Sequence, residues 1–166
     1  MGKFYIKKFK KIKLLVLDFD GVMTDNRVLV SEDGKEFVFC YRGDGLGIEM
    51  LRKKGIEVIV ISKEKNPVVQ ARCNKLKIEC WQGIDDKETI FLREIKKRGL
   101  NLEDVCSIGN DITDLGCIKK AGLGIAVADS EEPLLDIADY VTKRKGGKGA
   151  VREICNLILK SKNMED

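Results

Sequence analysis

Short apolar, β-rich runs alternate with helix-length segments along the whole chain, at 14–17, 58–61, 105–108 and 125–127. Strands separated by helices join one sheet through right-handed crossovers, so the pattern predicts an α/β fold, a Rossmann-like parallel sheet flanked by helices. One stretch departs from the alternation. From 28 to 39 two β-like segments flank Glu32-Asp33-Gly34, which predicts a β-hairpin inserted after the first strand and projecting over the strand ends. Gly55 and Gly99 each follow a Lys/Arg-rich helical end, and Gly146-Gly147-Lys148-Gly149 opens a last helix from 150 to about 159.

With 166 residues the chain is expected to form one domain, 1–166, with a core that needs no disulfide or metal to hold it. Hydrophobic residues at 43% and charged residues at 35% suit a globular protein, and a net charge of +4 is too small to argue for nucleic acid. The basic excess gathers in Lys7, Lys8, Lys10, Lys11 and Lys13, so 1–12 is expected to be a solvated basic arm. Cys40, Cys73, Cys80, Cys106, Cys117 and Cys155 show no close pairing and read as small core fillers in a reducing compartment. The apolar run at 14–17 stops at Asp18, too short for a membrane span or a signal-peptide core, and a cytoplasmic location is expected. Histidine is absent, which excludes Ser-His and Cys-His nucleophile pairs and histidine metal sites. Acid/base chemistry falls to carboxylates, lysine, tyrosine or cysteine.

Four polar stations punctuate this pattern: Asp18-Phe19-Asp20-Gly21-Val22-Met23-Thr24-Asp25, Ser62, Lys87, and Gly109-Asn110-Asp111-Ile112-Thr113-Asp114. An apolar run precedes the first, second and fourth, so their polar groups are expected at the carboxyl ends of buried strands, where open α/β sheets bind ligands. Asp18 and Asp20, two residues apart in extended chain, point the same way and can flank one substrate atom, one as nucleophile and the other as proton donor and acceptor. Two anions beside a phosphate need a divalent cation, for which Asn110, Asp111 and Asp114 offer oxygens. Ser62 offers a hydroxyl to a phosphoryl oxygen, and Lys87 a charge that holds Asp18 ionised. Taken singly, an Asp-x-Asp is a turn and a serine after a strand a helix cap; their joint order singles them out.

These stations resemble those of the haloacid dehalogenase-like phosphatase superfamily, over about residues 13–160. The hairpin, the absence of a cap domain, Tyr41-Arg42-Gly43-Asp44-Gly45-Leu46-Gly47, and Gly146-Gly147-Lys148-Gly149-Ala150-Val151-Arg152-Glu153 are similar to the 3-deoxy-octulosonate 8-phosphate and nonulosonate 9-phosphate phosphatases, and to the C-terminal domain of some CMP-sialate synthetases. The resemblance implies Asp18 as nucleophile forming an aspartyl-phosphate, Asp20 as general acid/base, and Mg2+ held by Asp18, the Asp20 carbonyl and Asn110, with Asp111 able to share that role. Asn110 stands where the family usually has aspartate, which implies weaker metal binding. Ser62 replaces the more frequent threonine, and Lys63 a common glycine; Lys63 either narrows the site or is solvated.

The resemblance further implies a homotetramer whose neighbouring subunits close each site, with the hairpin's Val28, Val30, Phe37 and Phe39 buried between chains. Asp44, Glu64, Arg72 and Lys75 match substrate-binding positions. Arg72 and Lys75, three apart on one helix, suit a substrate carboxylate, and Glu64, where the octulosonate branch tends to carry arginine, favours a nine-carbon acid. The leading expectation is a Mg2+-dependent sugar-acid phosphatase. The alternative is a non-catalytic assembly module for a CMP-sugar synthetase partner; relatives of that kind lose the first aspartate, and here Asp18 and Asp20 both remain.

Overall fold

The computed structural model describes residues 3–164. Its centre is the strand β1 (Leu14–Leu17), whose four residues are all buried. Such a continuous apolar run belongs to a strand covered on both faces. Leu15 and Leu17 enter a core shared with Ile48, Leu51, Ile154 and Ile158, while Leu14 and Val16 face Phe91 and Ile95 on the other side.

The remaining elements follow in chain order: β2 (Thr24–Val30), β3 (Glu36–Cys40), α2 (Arg42–Lys53), β4 (Glu57–Ile61), α3 (Val68–Leu76), β5 (Glu79–Trp81), α4 (Lys87–Lys97), β6 (Val105–Gly109), α5 (Leu115–Lys120), β7 (Leu123–Ala126), α6 (Glu132–Ile137), β8 (Tyr140–Val141) and α7 (Ala150–Lys162), with α1 (Lys3–Lys11) before β1. The six-stranded parallel sheet has the order β5-β4-β1-β6-β7-β8. The chain builds outward from β1 on one side through β4 and β5, then returns to place β6 against its other edge. That reversal puts a crevice at the carboxyl ends of β1 and β6.

The expected strands at 14–17, 58–61, 105–108 and 125–127 correspond to β1, β4, β6 and β7, the last shifted by a residue or two toward the N-terminus. The edge strands β5 and β8 were not expected. The hairpin forms as a separate antiparallel pair, β2 with β3. Val38 and Cys40 turn toward the core, whereas Val28, Val30, Phe37 and Phe39 are exposed, Phe39 by 69%.

The solvated basic arm is corrected. Residues 3–11 form α1, which packs beside α7, and Phe9 and Ile12 are fully buried. Phe9 lies in the last turn of α1 and Ile12 just past its end, and their burial anchors the segment despite its lysines. Several of those lysines are paired on the other side: Lys8 with Asp139 at 2.6 Å, Lys11 with Glu103 at 2.5 Å and Lys13 with Asp104 at 3.0 Å.

Candidate active site

Asp18 leaves β1 with its backbone N–H donating to the Ile108 carbonyl at 3.0 Å, which fastens it to the end of β6. Three residues on, Gly21 takes φ +78°, and a Cβ there would lie 2.1 Å from the Asn110 side chain. Only glycine allows both the turn and that approach. The last loop, at 143–149, packs against the same turn: a Cβ on Gly146 would lie 1.7 Å from the Gly21 carbonyl oxygen.

Lys87, the first residue of α4, is 3% exposed and donates to Oδ1 of Asp18 at 2.7 Å and to Oδ1 of Asp114 at 2.8 Å. The other Asp114 oxygen accepts the N–H groups of Asn110 at 3.0 Å and Asp111 at 3.3 Å, so Asp114 ties the β6 loop to the lysine. Burial pulls the Lys87 ammonium down, but the two carboxylates outweigh it and the group is held above its usual range. Burial first, then the Asp114 charge, push the Asp18 carboxyl up to about 7 against the pull of Lys87. Two carboxylates and one ammonium leave the cluster one negative charge in excess, and an added cation restores Asp18 to its ionised, nucleophilic form.

Asp20 stands half-buried at the cleft. Burial raises its carboxyl, Glu64 adds to that, and the hydrogen bond from Thr24 pulls the other way. Ser62, buried at the end of β4, donates its N–H to the Trp81 carbonyl at 2.8 Å, while its hydroxyl oxygen accepts from Glu64 N–H at 3.1 Å. Its role is not a helix cap, since α3 begins only at Val68. Asp18, Asp20, Ser62, Glu64, Lys87, Asn110 and Asp111 all line one cleft of about 470 Å3.

The donors fit a hard cation. Among the described residues no trio of cysteine, aspartate and glutamate side chains gathers to hold a metal, so a site must mix donor types. One end of the Asn110 amide lies 2.9 Å from the Asp20 carbonyl oxygen and 3.2 Å from Oδ2 of Asp18. With NH2 at that end the amide donates to both. With its oxygen there, three oxygens converge, an arrangement that a divalent cation stabilises. Asp111 lines the same cleft, where its Oδ1 accepts from Ile112 N–H at 2.6 Å and caps the following 3-10 turn.

Asp44, Arg72 and Lys75 are not among the residues that line this cleft. Asp44 is 1% exposed in the first turn of α2, where its Oδ1 accepts the Arg152 N–H at 2.9 Å and ties α2 to α7. Arg72 and Lys75 share a helix face as expected, but α3 turns that face toward Gly45 and Leu46 of α2, and both line a separate cavity. Sequence reading missed Asn26, Lys65 and Asp85, which also line the cleft together with Thr113 of the fourth station. Lys65 and Asp85 flank recognised stations; Asn26, at φ +60°, carried no signal. Lys63 lines the cleft while remaining exposed.

Residues 84–154 match the model of a family described as haloacid dehalogenase-like hydrolase. The 3-deoxy-D-manno-octulosonate 8-phosphate phosphatase KdsC of Escherichia coli (strain K12) is 39% identical over 155 residues, 93% of this chain and 82% of that protein. The chain belongs to the haloacid dehalogenase-like hydrolases. Within them it is a phosphatase of the capless group: the hairpin takes the place after β1, and no cap domain is present among the described residues. A 3-deoxy-D-manno-octulosonate 8-phosphate phosphatase from Moraxella catarrhalis, solved in complex with magnesium, phosphate and KDO, superposes with a TM-score of 0.95 at 37% identity, covering 98% of this chain and 94% of that one. A HAD family hydrolase from Streptomyces avermitilis is 46% identical with a TM-score of 0.87, covering 90% and 91%. Among the described residues no helix is long and apolar enough to cross a membrane.

Proposed function

We propose that this haloacid dehalogenase-like phosphatase hydrolyses the terminal phosphate monoester of a sugar acid with Mg2+ as cofactor. The observation that carries the reading is the Lys87 ammonium set between Asp18 and Asp114 on one side of the cleft, with the Asn110 amide and the Asp20 carbonyl on the other. A carboxylate oxygen of Asp18 attacks phosphorus, the ester bond breaks, and Asp20 gives its proton to the departing alcohol oxygen. Asp20 then takes a proton from the water that attacks the aspartyl-phosphate, releasing phosphate and restoring Asp18. Lys87 and the Ser62 hydroxyl offset charge on the phosphoryl oxygens. Asp18, the Asp20 carbonyl and Asn110 would hold Mg2+, which when bound would supply charge neutralisation of the phosphate.

Octulosonate 8-phosphate is the substrate in the names of the relatives. Glu64 favours the nine-carbon nonulosonate 9-phosphate here. Its carboxylate is held in the cleft wall by the N–H groups of Lys65 and Asn66, at 2.6 and 2.7 Å, and repels a substrate carboxylate held close to it. A longer acid carries its carboxylate past that point. Arg72 and Lys75 meet it only across a subunit boundary, which suits a homotetramer formed through the exposed hairpin. A cytoplasmic location fits six unpaired thiols. No observation favours the non-catalytic assembly module, and the chemistry needs no synthetase partner.

The test is phosphate release from octulosonate 8-phosphate, nonulosonate 9-phosphates and a generic aryl phosphate, with and without Mg2+, beside Asp18→Asn. Mg2+-dependent release that prefers a nonulosonate ester and vanishes in the variant is expected. Preference for the octulosonate ester overturns the Glu64 argument alone, and no release above the variant overturns the enzyme reading.

A further inference from the structure

The loop that carries Asp18 and Asp20 closes on one hydroxyl. The N–H groups of Val22, Met23 and Thr24 all point to the Phe19 carbonyl, at 3.4, 2.9 and 3.1 Å, folding the chain so that the Thr24 side chain lies beside Asp20. Thr24 is fully buried. Its oxygen accepts the N–H of Gly21 at 3.1 Å and that of Asn26 at 3.2 Å. A hydroxyl has two acceptor sites and one proton. Both acceptor sites are taken, so the proton is directed to the remaining neighbour, Oδ1 of Asp20, at 3.4 Å.

That distance is long for an O–H···O bond, as contacts at catalytic carboxyls are before substrate binds. Turning the hydroxyl away would strip a partner from a backbone N–H in a closed place. Among the described residues this is the one hydrogen bond to the Asp20 carboxyl from another side chain. A donor at Oδ1 keeps that oxygen an acceptor, so the mobile proton of Asp20 is carried on Oδ2.

We propose that Thr24 is a positioning residue, whose hydroxyl fixes the Asp20 carboxyl in the orientation that delivers a proton from Oδ2 to the leaving alcohol. The inference rests on the assignment of Asp20 as general acid in the reading above. It separates two kinds of substrate. An alkyl phosphate has a poor leaving group and needs that proton; a nitrophenyl phosphate leaves as a stable anion and does not.

The experiment compares kcat/KM for an alkyl phosphate and for nitrophenyl phosphate at saturating Mg2+, in the wild-type chain, Thr24→Val, Thr24→Ser and Asp20→Asn. Thr24→Val is expected to lose about 30-fold on the alkyl ester and at most about threefold on the aryl ester, while Thr24→Ser, which keeps the hydroxyl, stays within about threefold on both. Equal loss on the two esters, or no loss, overturns the inference, because a merely structural residue lowers both alike. Asp20→Asn separates the two levels. If it shows the leaving-group bias and Thr24→Val does not, only the role of Thr24 fails; if Asp20→Asn shows no bias, the general-acid assignment falls and the inference with it. Circular dichroism checks folding, and if Thr24→Val is unfolded, Thr24→Ala, which leaves room for water to serve the two N–H groups, is read on the same pair with the same criteria.

Discussion

Nζ of Lys87 lies 2.7 Å from Oδ1 of Asp18, and both residues are buried. The same ammonium is 2.8 Å from Asp114, so one lysine at the start of α4 joins the ends of β1 and β6. A buried charge so placed is costly to leave alone, and the surroundings have matched it from two directions.

Removing that lysine leaves two buried carboxylates facing each other. Lys87→Met is expected to lower unfolding free energy by about 3–5 kcal/mol, the range for breaking a buried pair from one side. Urea unfolding without Mg2+ measures it. A loss no larger than that of a surface substitution contradicts the pairing.

The Asn110 amide contributes no charge to the cation site, and this gives a prediction of opposite sign with and without metal. Asn110→Asp places a third carboxylate near Asp18 and Asp114, so the variant is expected to melt below the wild-type chain without Mg2+ and to bind Mg2+ roughly tenfold more tightly. Melting temperature followed through a Mg2+ titration reads both. Unchanged affinity excludes Asn110 from the metal shell.

Asp44 makes stability depend on pH. Burial pushes its carboxyl up to about 6 from 3.8, while the Arg152 N–H and the charges of Arg72, Arg144 and Arg152 pull it partway back. The folded chain therefore keeps a proton that the unfolded chain has released, so this contribution is full below 3.8 and is lost as pH rises through about 6. The span corresponds to about 3 kcal/mol. Asp44→Asn, neutral throughout, is expected to flatten the decline; urea unfolding of both chains between about pH 4 and pH 7 compares them. Parallel curves contradict the assignment to Asp44.

Much of this was legible because buried parallel strands write themselves as apolar runs. β1, β4, β6 and β7 stand out, and the polar residues that end β1, β4 and β6 converge with Lys87 where the strand order reverses. β5 and β8, of three and two residues at the sheet edges, are too short to carry a period. Around α1 the lysines hid Phe9, in its last turn, and Ile12, just past its end, both fully buried. For Arg72 and Lys75, helical spacing shows that they share a face but not which way it looks; the packing of α3 beside α2 decides that. A motif gives the residue type of Asp44 but not its depth, which the packing of α2 against α7 sets.

The exposed hairpin yields a prediction on assembly. Phe37 and Phe39 are 54% and 69% exposed on one face of β3, and a second chain is expected to cover them. The double substitution Phe37→Glu, Phe39→Glu is expected to give a monomer by sedimentation velocity while leaving the fold intact. Unchanged sedimentation excludes the hairpin as the interface.

The covalent step is the centre of the account. The wild-type chain, quenched in acid during turnover with Mg2+ and digested, is expected to yield one peptide heavier by a phosphoryl group, with the modification on Asp18 and absent from Asp18→Asn. Steady turnover with no such adduct at any quench time, or a phosphoryl group on another residue, contradicts Asp18 as the nucleophile.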